Sequence, residues 1–346
     1  HQMTFLDDAA NLPLNLPRPA SLSKAEMGID RLIEASAGTN DEALISVIKN
    51  LTSNSISRSF LEAIFGNSSF LTQCATTDPF FLSELTMEGP EACFKKIELE
   101  LQKTPELLDQ SSVMKFLRIN RKRAALTIAA ADITNQWTGT QVTQALSRFS
   151  DLSVQYAINF LLKNMAEKNY LKLPNKASPG EGSGLIVLGM GKLGGHELNY
   201  SSDIDLIIFF DPDVIETDDP ENLQKGFIRL ARDLVKVLSE RTADGYVFRT
   251  DLRLRPDPGS TPPAISVLAA ETYYESIGQN WERAAMIKAR PIAGDFKAAE
   301  TFLERLTPFI WRKYLDFATI QDVHSIKRQI NAHRGSSVVA VEGHNV

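Results

Sequence analysis

Apolar residues recur along this chain in two rhythms, and the change between them falls near residue 184. From Asp41 to about Gln110, stretches such as DEALISVIKNL and GPEACFKKIELELQK place an apolar residue every three or four positions between breakers, which predicts a series of short helices. The helical pattern strengthens from Ser112 to Tyr170. In TQVTQALSRFSDLSVQYAINFLLKNM, Val142, Leu146, Phe149, Leu152, Tyr156, Phe160 and Leu161 line up as one long apolar stripe. That helix is expected to bury one face against the core or another domain. The first forty residues, including LDDAANLPLNLPRPASLSK, are rich in Pro, Asn and Ser and read as an irregular lead-in.

LPNKASPGEGSG, Leu173 to Gly184, collects Pro, Gly and Ser and is the strongest linker signal. Beyond it GLIVLGM, DIDLIIFFD and GYVFRTDLRLR read as strands, the first two apolar enough to be central and the third alternating between faces. Between the second and third lies a helical pattern, PENLQKGFIRLARDLVKVLSERT, entered through acidic residues that suit a helix N-terminus. The chain then returns to helix through VLAAETYYESIG, WERAAMIKAR, FKAAETFLERL and TIQDVHSIKRQINAHRG. The expected fold is α+β and mostly helical, with an N-terminal helical region over 1–172, a mixed-sheet domain over 184–295 and a C-terminal helical extension over 296–346.

At 346 residues the chain can hold two or three domains with their own cores. A formal net charge of −6, with no basic stripe, argues against nucleic acid as the partner. No apolar run approaches the roughly 20 residues needed to cross a bilayer, and no basic, then apolar leader opens the chain, so no membrane association and a cytoplasmic location are expected. Cys74 and Cys93 stand far apart, which suggests two reduced thiols and neither a disulfide framework nor a zinc site. HQM at the start reads as a cloning remnant, and the ending VEGHNV reads as that of a fragment.

The chemistry concentrates in GLIVLGMGKLGGHELNYSSDIDLIIFFD, Gly184 to Asp211. Gly189, Gly191 and Gly194 match the G-x-G-x-x-G spacing of a dinucleotide site, and Asp211 sits where a ribose-binding acid would. Only GHELNYSS separates Gly194 from Asp203, however, and a crossover to a parallel strand takes a dozen or more residues. The dinucleotide reading therefore fails on length.

Asp203 and Asp205, two apart on a strand, point to the same face. Two carboxylates gathered on one spot need a cation, and magnesium or manganese, hard ions that take oxygen ligands, suit them. In YVFRTDLRLRP, Asp251 falls on the alternation Val247, Arg249, Asp251, Arg253, Arg255, which leaves two readings for that strand: a third metal ligand, or a surface strand laced with salt bridges. Three carboxylates on neighbouring strands can hold two metal ions for phosphoryl or nucleotidyl transfer. The Gly194–Gly195 pair would then let the backbone approach a phosphate, with Ser201 and Ser202 adding hydroxyl donors. Arg253, Arg255 and Lys192 could bind a second anion, or the arginines could pair with the same aspartates. NWERAAMIKAR is either a basic wall over a nucleotide or a helix that packs Trp281 and extends its charges to solvent. His196 lacks the second histidine of a zincin and is expected to face solvent.

A Gly-Gly turn followed by h-D-h-D, where h is apolar, resembles the nucleotidyltransferase superfamily of DNA polymerase beta. The blocks GMGKLGGHELNYSSDIDLI, TDLRLRPDPGS, WERAAMIKARPIAGD and WRKYLDFATIQDVHSIKRQI are similar more closely to the glutamine synthetase adenylyltransferase family, over about Leu117 to Arg334. That family carries two nucleotidyltransferase domains in one polypeptide, and ELNYSSDIDLI with WERAAMIKAR is similar to the N-terminal, adenylyl-removing copy. The resemblance implies Asp203, Asp205 and Asp251 as catalytic metal ligands for Mg²⁺ or Mn²⁺. It also implies Gly194, Gly195 and Ser202 along the nucleotide phosphates. The reaction implied is phosphorolysis of AMP-tyrosine on glutamine synthetase, in which inorganic phosphate gives ADP and free tyrosine. The PII signal protein is implied as a regulatory partner. Transfer of AMP from ATP stays open because both directions use the same groups. A non-catalytic nucleotide-binding module is the alternative of another class.

Overall fold

The computed structural model describes residues 4–8, 15–106, 109–311 and 325–332. Contacts divide the chain into two compact units: His1–Lys103 with Met114–Leu152 and Ala243–Val247, and Thr104–Val113 with Ser153–Thr242 and Phe248–Val346. These units follow spatial contact, whereas the boundaries read from composition follow breaker residues. HQM, VEGHNV and residues 312–324 of the fourth quoted block lie outside the described residues.

The described chain begins with α1 (Phe5–Asp8) and α2 (Leu22–Gly38). The second helix corrects the expectation of an irregular lead-in. Ser21 caps it by accepting from the Lys24 amide, and Ala25, Gly28, Ile29, Leu32 and Ser36 bury one face. Three of those five residues are small, so the apolar periodicity is faint in sequence. The short helices expected after Asp41 are α3 (Glu42–Ser53), α4 (Ser55–Phe65), α5 (Ser69–Thr77), α6 (Pro79–Glu88) and α7 (Pro90–Gln102). The breakers between them are their caps: Asp41, Asn54, Ser68 and Asp78 each accept from a backbone amide of the first turn. Pro79 and Pro90 open their helices where a missing N–H costs nothing.

α8 (Gln110–Ile133) and α9 (Gly139–Glu167) follow. Every residue of the expected stripe on α9 is buried. The burial nevertheless extends past one face, because from Phe149 to Leu162 only Gln155 and Asn159 are even half-buried. Ser147, Ser150 and Ser153 complete the buried circumference, and a hydroxyl as small as that of Ser147 satisfies itself on the Thr143 carbonyl. Cys74 and Cys93 are free and buried, and burial pushes both thiols up to about 12. At pH 8 roughly one such thiol in 10⁴ is thiolate, the form that reacts. The folded chain is therefore expected to leave Ellman's reagent unconsumed over minutes and to react at both cysteines in urea. Rapid titration of either thiol in the native state would contradict this burial.

Leu173–Gly184 carries neither helix nor strand, as its composition suggested. The sheet comprises β1 (Leu185–Gly189), β2 (Ile204–Phe210), β3 (Thr250–Asp251), β4 (Ala264–Ser266) and β5 (Arg290–Gly294), joined by α10 (Gly191–Gly194), α11 (Pro220–Ser239), α12 (Val267–Ser276) and α13 (Asn280–Ile287), with α14 (Phe296–Trp311) after β5. β1 pairs antiparallel with β2 and β5, while β3 and β4 lie parallel to β2 along its other edge. The fold is thus α+β and mostly helical around a small mixed sheet. β1 and β2 are buried throughout, as their unbroken apolar runs require of central strands. Their antiparallel pairing also removes the parallel crossover that a dinucleotide site needs.

Alternation sets the two faces. Ile186, Leu188, Ile207, Phe209 and Ile265 pack with Tyr274, Met286, Phe302 and Leu306 from α12, α13 and α14. The opposite face meets α11, where Phe210 stacks on Phe227 with ring centroids 4.8 Å apart. α11 buries Leu223, Phe227, Leu230, Leu234 and Leu238 at helical spacing, as expected. Among the described residues no helix is long and apolar enough to cross a membrane.

Candidate active site

β2 carries the first two carboxylates to the site. Asp205 is its second residue and Asp203 immediately precedes it, so both lie on the Ile207–Phe209 side of the strand. The parallel register places Asp251 opposite Asp205, and in-register neighbours of a parallel pair, with strands about 4.8 Å apart, present their side chains to the same face. One face of the sheet therefore gathers all three aspartates named from sequence. They differ in setting: the Asp203 and Asp251 side chains are 51% and 18% exposed, and Asp205 is only 8% exposed.

β3 corrects the expected third strand. Only Thr250–Asp251 is extended, and the alternation read through Arg255 stops at Asp251. The Asp251 carboxylate itself ends it by accepting from the Arg253 backbone amide at 2.9 Å, an Asx turn ahead of a proline-rich loop. Arg253 then folds back, its Nε at 2.9 Å from Asp251 Oδ1 and its Nη2 at 2.6 Å from Oδ2. Asp251 foremost, with Asp205 and Asp203 adding their fields, holds the Arg253 pKa above the usual arginine value. Arg249, which spacing gave no reason to single out, pairs with Asp203 at 2.9 Å. Arg255 goes elsewhere: its terminal nitrogens donate to the carbonyls of Leu252, Pro258 and Thr261, so it braces the loop after β3.

The Gly-rich turn is α10, four residues long. The amides of Gly194 and Gly195 donate to the carbonyls of Met190 and Gly191, so what these glycines offer an anion is close approach, not free donors. At Gly195 a Cβ would meet only ordinary contacts, the Gly191 carbonyl at 3.6 Å and the Glu197 carboxylate at 3.7 Å. Gly194 is crowded by the Lys288 carbonyl, and Arg290 grips the same turn by donating to Leu193 O at 2.9 Å and Gly194 O at 3.3 Å. Lys192 and His196 are exposed. Ser202 closes a turn, its hydroxyl accepting from the Asn199 amide at 3.2 Å. In NWERAAMIKAR the packing of Trp281 against the sheet core is as expected, but its charges do not all extend to solvent: Glu282 is buried, Arg283 donates to the Tyr274 carbonyl and Arg290 holds α10.

As donors, three carboxylates match a hard divalent ion. Among the described residues, however, the group of three metal-binding side chains that closes to one coordination sphere is Glu84, Glu88 and Cys93. There the Lys96 ammonium already bridges both glutamates at 2.7 and 2.6 Å, and the raised Cys93 pKa keeps it a thiol. That cluster is an ion-paired helix surface. At the aspartates, the Arg249 guanidinium stands on Asp203 and that of Arg253 on Asp251.

A mixed sheet that brings an h-D-h-D strand and a third aspartate beside a short Gly turn defines a nucleotidyltransferase-type fold. A family model for glutamate-ammonia ligase adenylyltransferase matches residues 59–305, and the chain belongs to that family. It is 60% identical over 237 residues to the bifunctional glutamine synthetase adenylyltransferase/adenylyl-removing enzyme of Agrobacterium fabrum, covering 68% of this chain and 24% of the relative. Proteins of the same name from Mesorhizobium japonicum and Rhizobium meliloti are 48% and 46% identical over 317 and 336 residues, covering 91% and 95% of this chain. The chain spans 32% and 34% of those two relatives.

Proposed function

We propose that this chain is the adenylyl-removing half of such an enzyme and releases AMP from adenylylated glutamine synthetase by phosphorolysis, with 184–295 as its catalytic module between the helical regions 1–172 and 296–346. The observation that carries the reading is the juxtaposition of Asp203, Asp205 and Asp251 on one sheet face beside the Gly194–Gly195 turn, in a chain whose blocks resemble the N-terminal copy of the family. An oxygen of inorganic phosphate attacks the phosphorus of the AMP-tyrosine phosphodiester. The bond from phosphorus to the tyrosine oxygen breaks, that oxygen takes a proton from solvent, and ADP leaves.

Mg²⁺ or Mn²⁺, held by Asp203, Asp205 and Asp251, would polarise the phosphodiester and offset charge on the departing oxygen. The chain's own groups supply the rest. Gly195, without a side chain, would let a phosphate come close to the backbone, and Ser202 lies on the turn leading into β2. Arg249 and Arg253, paired with Asp203 and Asp251, and Lys192 on α10 would offset the repulsion between two phosphorus anions. Arg255, committed to loop carbonyls, holds their frame. Family membership adds the PII signal protein as a regulator in the cytoplasm.

The test is to incubate the chain with adenylylated glutamine synthetase and magnesium, with and without phosphate, and to identify the nucleotide released. Phosphate-dependent ADP that disappears in Asp203→Asn is the expected result. Glutamine synthetase labelled from ATP instead would assign the transferase direction. Nucleotide binding without turnover in either direction would leave a regulatory module.

A further inference from the structure

The three aspartates share one face of β2 and β3, yet Arg253 stands on the one at the strand's end. We propose that Arg253 is an exchangeable counter-cation, which occupies the carboxylate face a divalent ion would take and must release Asp251 before that ion can enter. The inference rests on the reading of Asp203, Asp205 and Asp251 as a metal site.

Both oxygens of Asp251 are engaged by the Arg253 fork, Oδ1 by Nε and Oδ2 by Nη2. A divalent ion on those oxygens would sit against a fixed positive charge, so ion and guanidinium compete for one place. The third bond has a different fate. It runs from the Arg253 backbone amide to Oδ1 and survives when the side chain swings away, so Asp251 stays aimed at the site. The exposures fit an arm that leaves and a ligand that stays: the Arg253 side chain is 46% exposed and that of Asp251 18%. Arg249 on Asp203 repeats the arrangement at the other flank. Arg255 cannot substitute, since its terminal nitrogens are held by three backbone carbonyls. A released Arg253 also remains beside the face where an anionic substrate must arrive, so the exchange trades one carboxylate partner for a phosphate without burying a bare charge.

The test is Mn²⁺ binding to the full chain without nucleotide, followed by the electron paramagnetic resonance signal of free Mn²⁺, for wild type, Arg253→Gln, Arg253→Lys and Asp205→Asn. Removing a half-exposed charge pair that competes with the ion is expected to tighten Mn²⁺ binding by about fivefold in Arg253→Gln. Arg253→Lys, which keeps the charge but loses the fork, should fall between it and wild type and also covers the case in which the glutamine variant does not fold. Unchanged or weaker binding in both variants, with Asp205→Asn abolishing it, would overturn the inference and leave the metal site standing. Binding unaffected by Asp205→Asn, or absent from every protein, would overturn the metal site itself.

Discussion

On the proposed phosphorolytic reading, Asp205→Asn is expected to lower turnover by about 10³-fold, since electrostatic groups aimed at developing charge account for factors of up to that order. Asp205 is the most enclosed of the three carboxylates, 8% exposed within β2, and its backbone is fixed by pairing on both sides, including the bond from the Met190 amide to its carbonyl at 2.8 Å. Asparagine keeps the volume and one oxygen while removing the charge. Within β1 and β2 themselves the remaining residues are apolar, so no other charge of these two strands replaces it. The measurement is the rate of ADP release beside a thermal unfolding curve. Retention of more than a tenth of wild-type turnover with an unchanged midpoint would sink the assignment of Asp205 to the chemistry.

The parts of this site legible in sequence are those set by local rules. Alternation along a strand places Asp203 and Asp205 on one side whatever surrounds them. The shortness of GHELNYSS excluded a parallel crossover before any coordinates, and the antiparallel β1–β2 pair agrees. Helices from α3 to α7 announce themselves through caps that are also breakers in composition.

What escaped the sequence depends on partners far along the chain. β4 and β5 are too short, in AIS and RPIAG, to carry an alternation, and each exists because a central strand offers it an edge. β3 ends where a side chain captures a backbone amide, a choice that alternation cannot foresee. The arginines show the limit most clearly, because an arginine meets carboxylate, phosphate and carbonyl oxygen alike. Arg249 and Arg253 go to aspartates, Arg255 braces a loop and Arg290 grips α10, and spacing alone distinguishes none of these fates. The helix α2 and the full burial of α9 were hidden by small residues, Gly28 and Ser36 in the first and Ser147, Ser150 and Ser153 in the second, which pack as core but read as polar or neutral.

Gly194 and Gly195 stand side by side in the sequence, and alanine is expected to cost stability at the first and not at the second. A Cβ on Gly194 would run into the backbone carbonyl of Lys288 and come within 2.7 Å of the Gly189 carbonyl. Both belong to the framework, one at the end of β1 and the other just ahead of β5, so neither can turn aside as a flexible side chain would. Overpacking against such neighbours costs about 1–3 kcal/mol, and rigid backbone on two sides argues for the upper part of that range. Relief must come from α10 itself, which would shift away from the Arg290 guanidinium that holds its Leu193 and Gly194 carbonyls. A phosphate seat displaced by about 1 Å can lower turnover by about 10²-fold, so Gly194→Ala should lose stability and activity together. Gly195→Ala meets nothing nearer than 3.6 Å, at a φ of −85° that any residue adopts, and should fold normally. If Gly195 gives a phosphate its close approach, the added methyl weakens phosphate saturation while leaving the unfolding midpoint in place. Paired melting curves and phosphate titrations separate the cases: equal stability of the two variants would mean that α10 is not pinned at Gly194, and wild-type phosphate dependence in Gly195→Ala would remove that residue from the anion site.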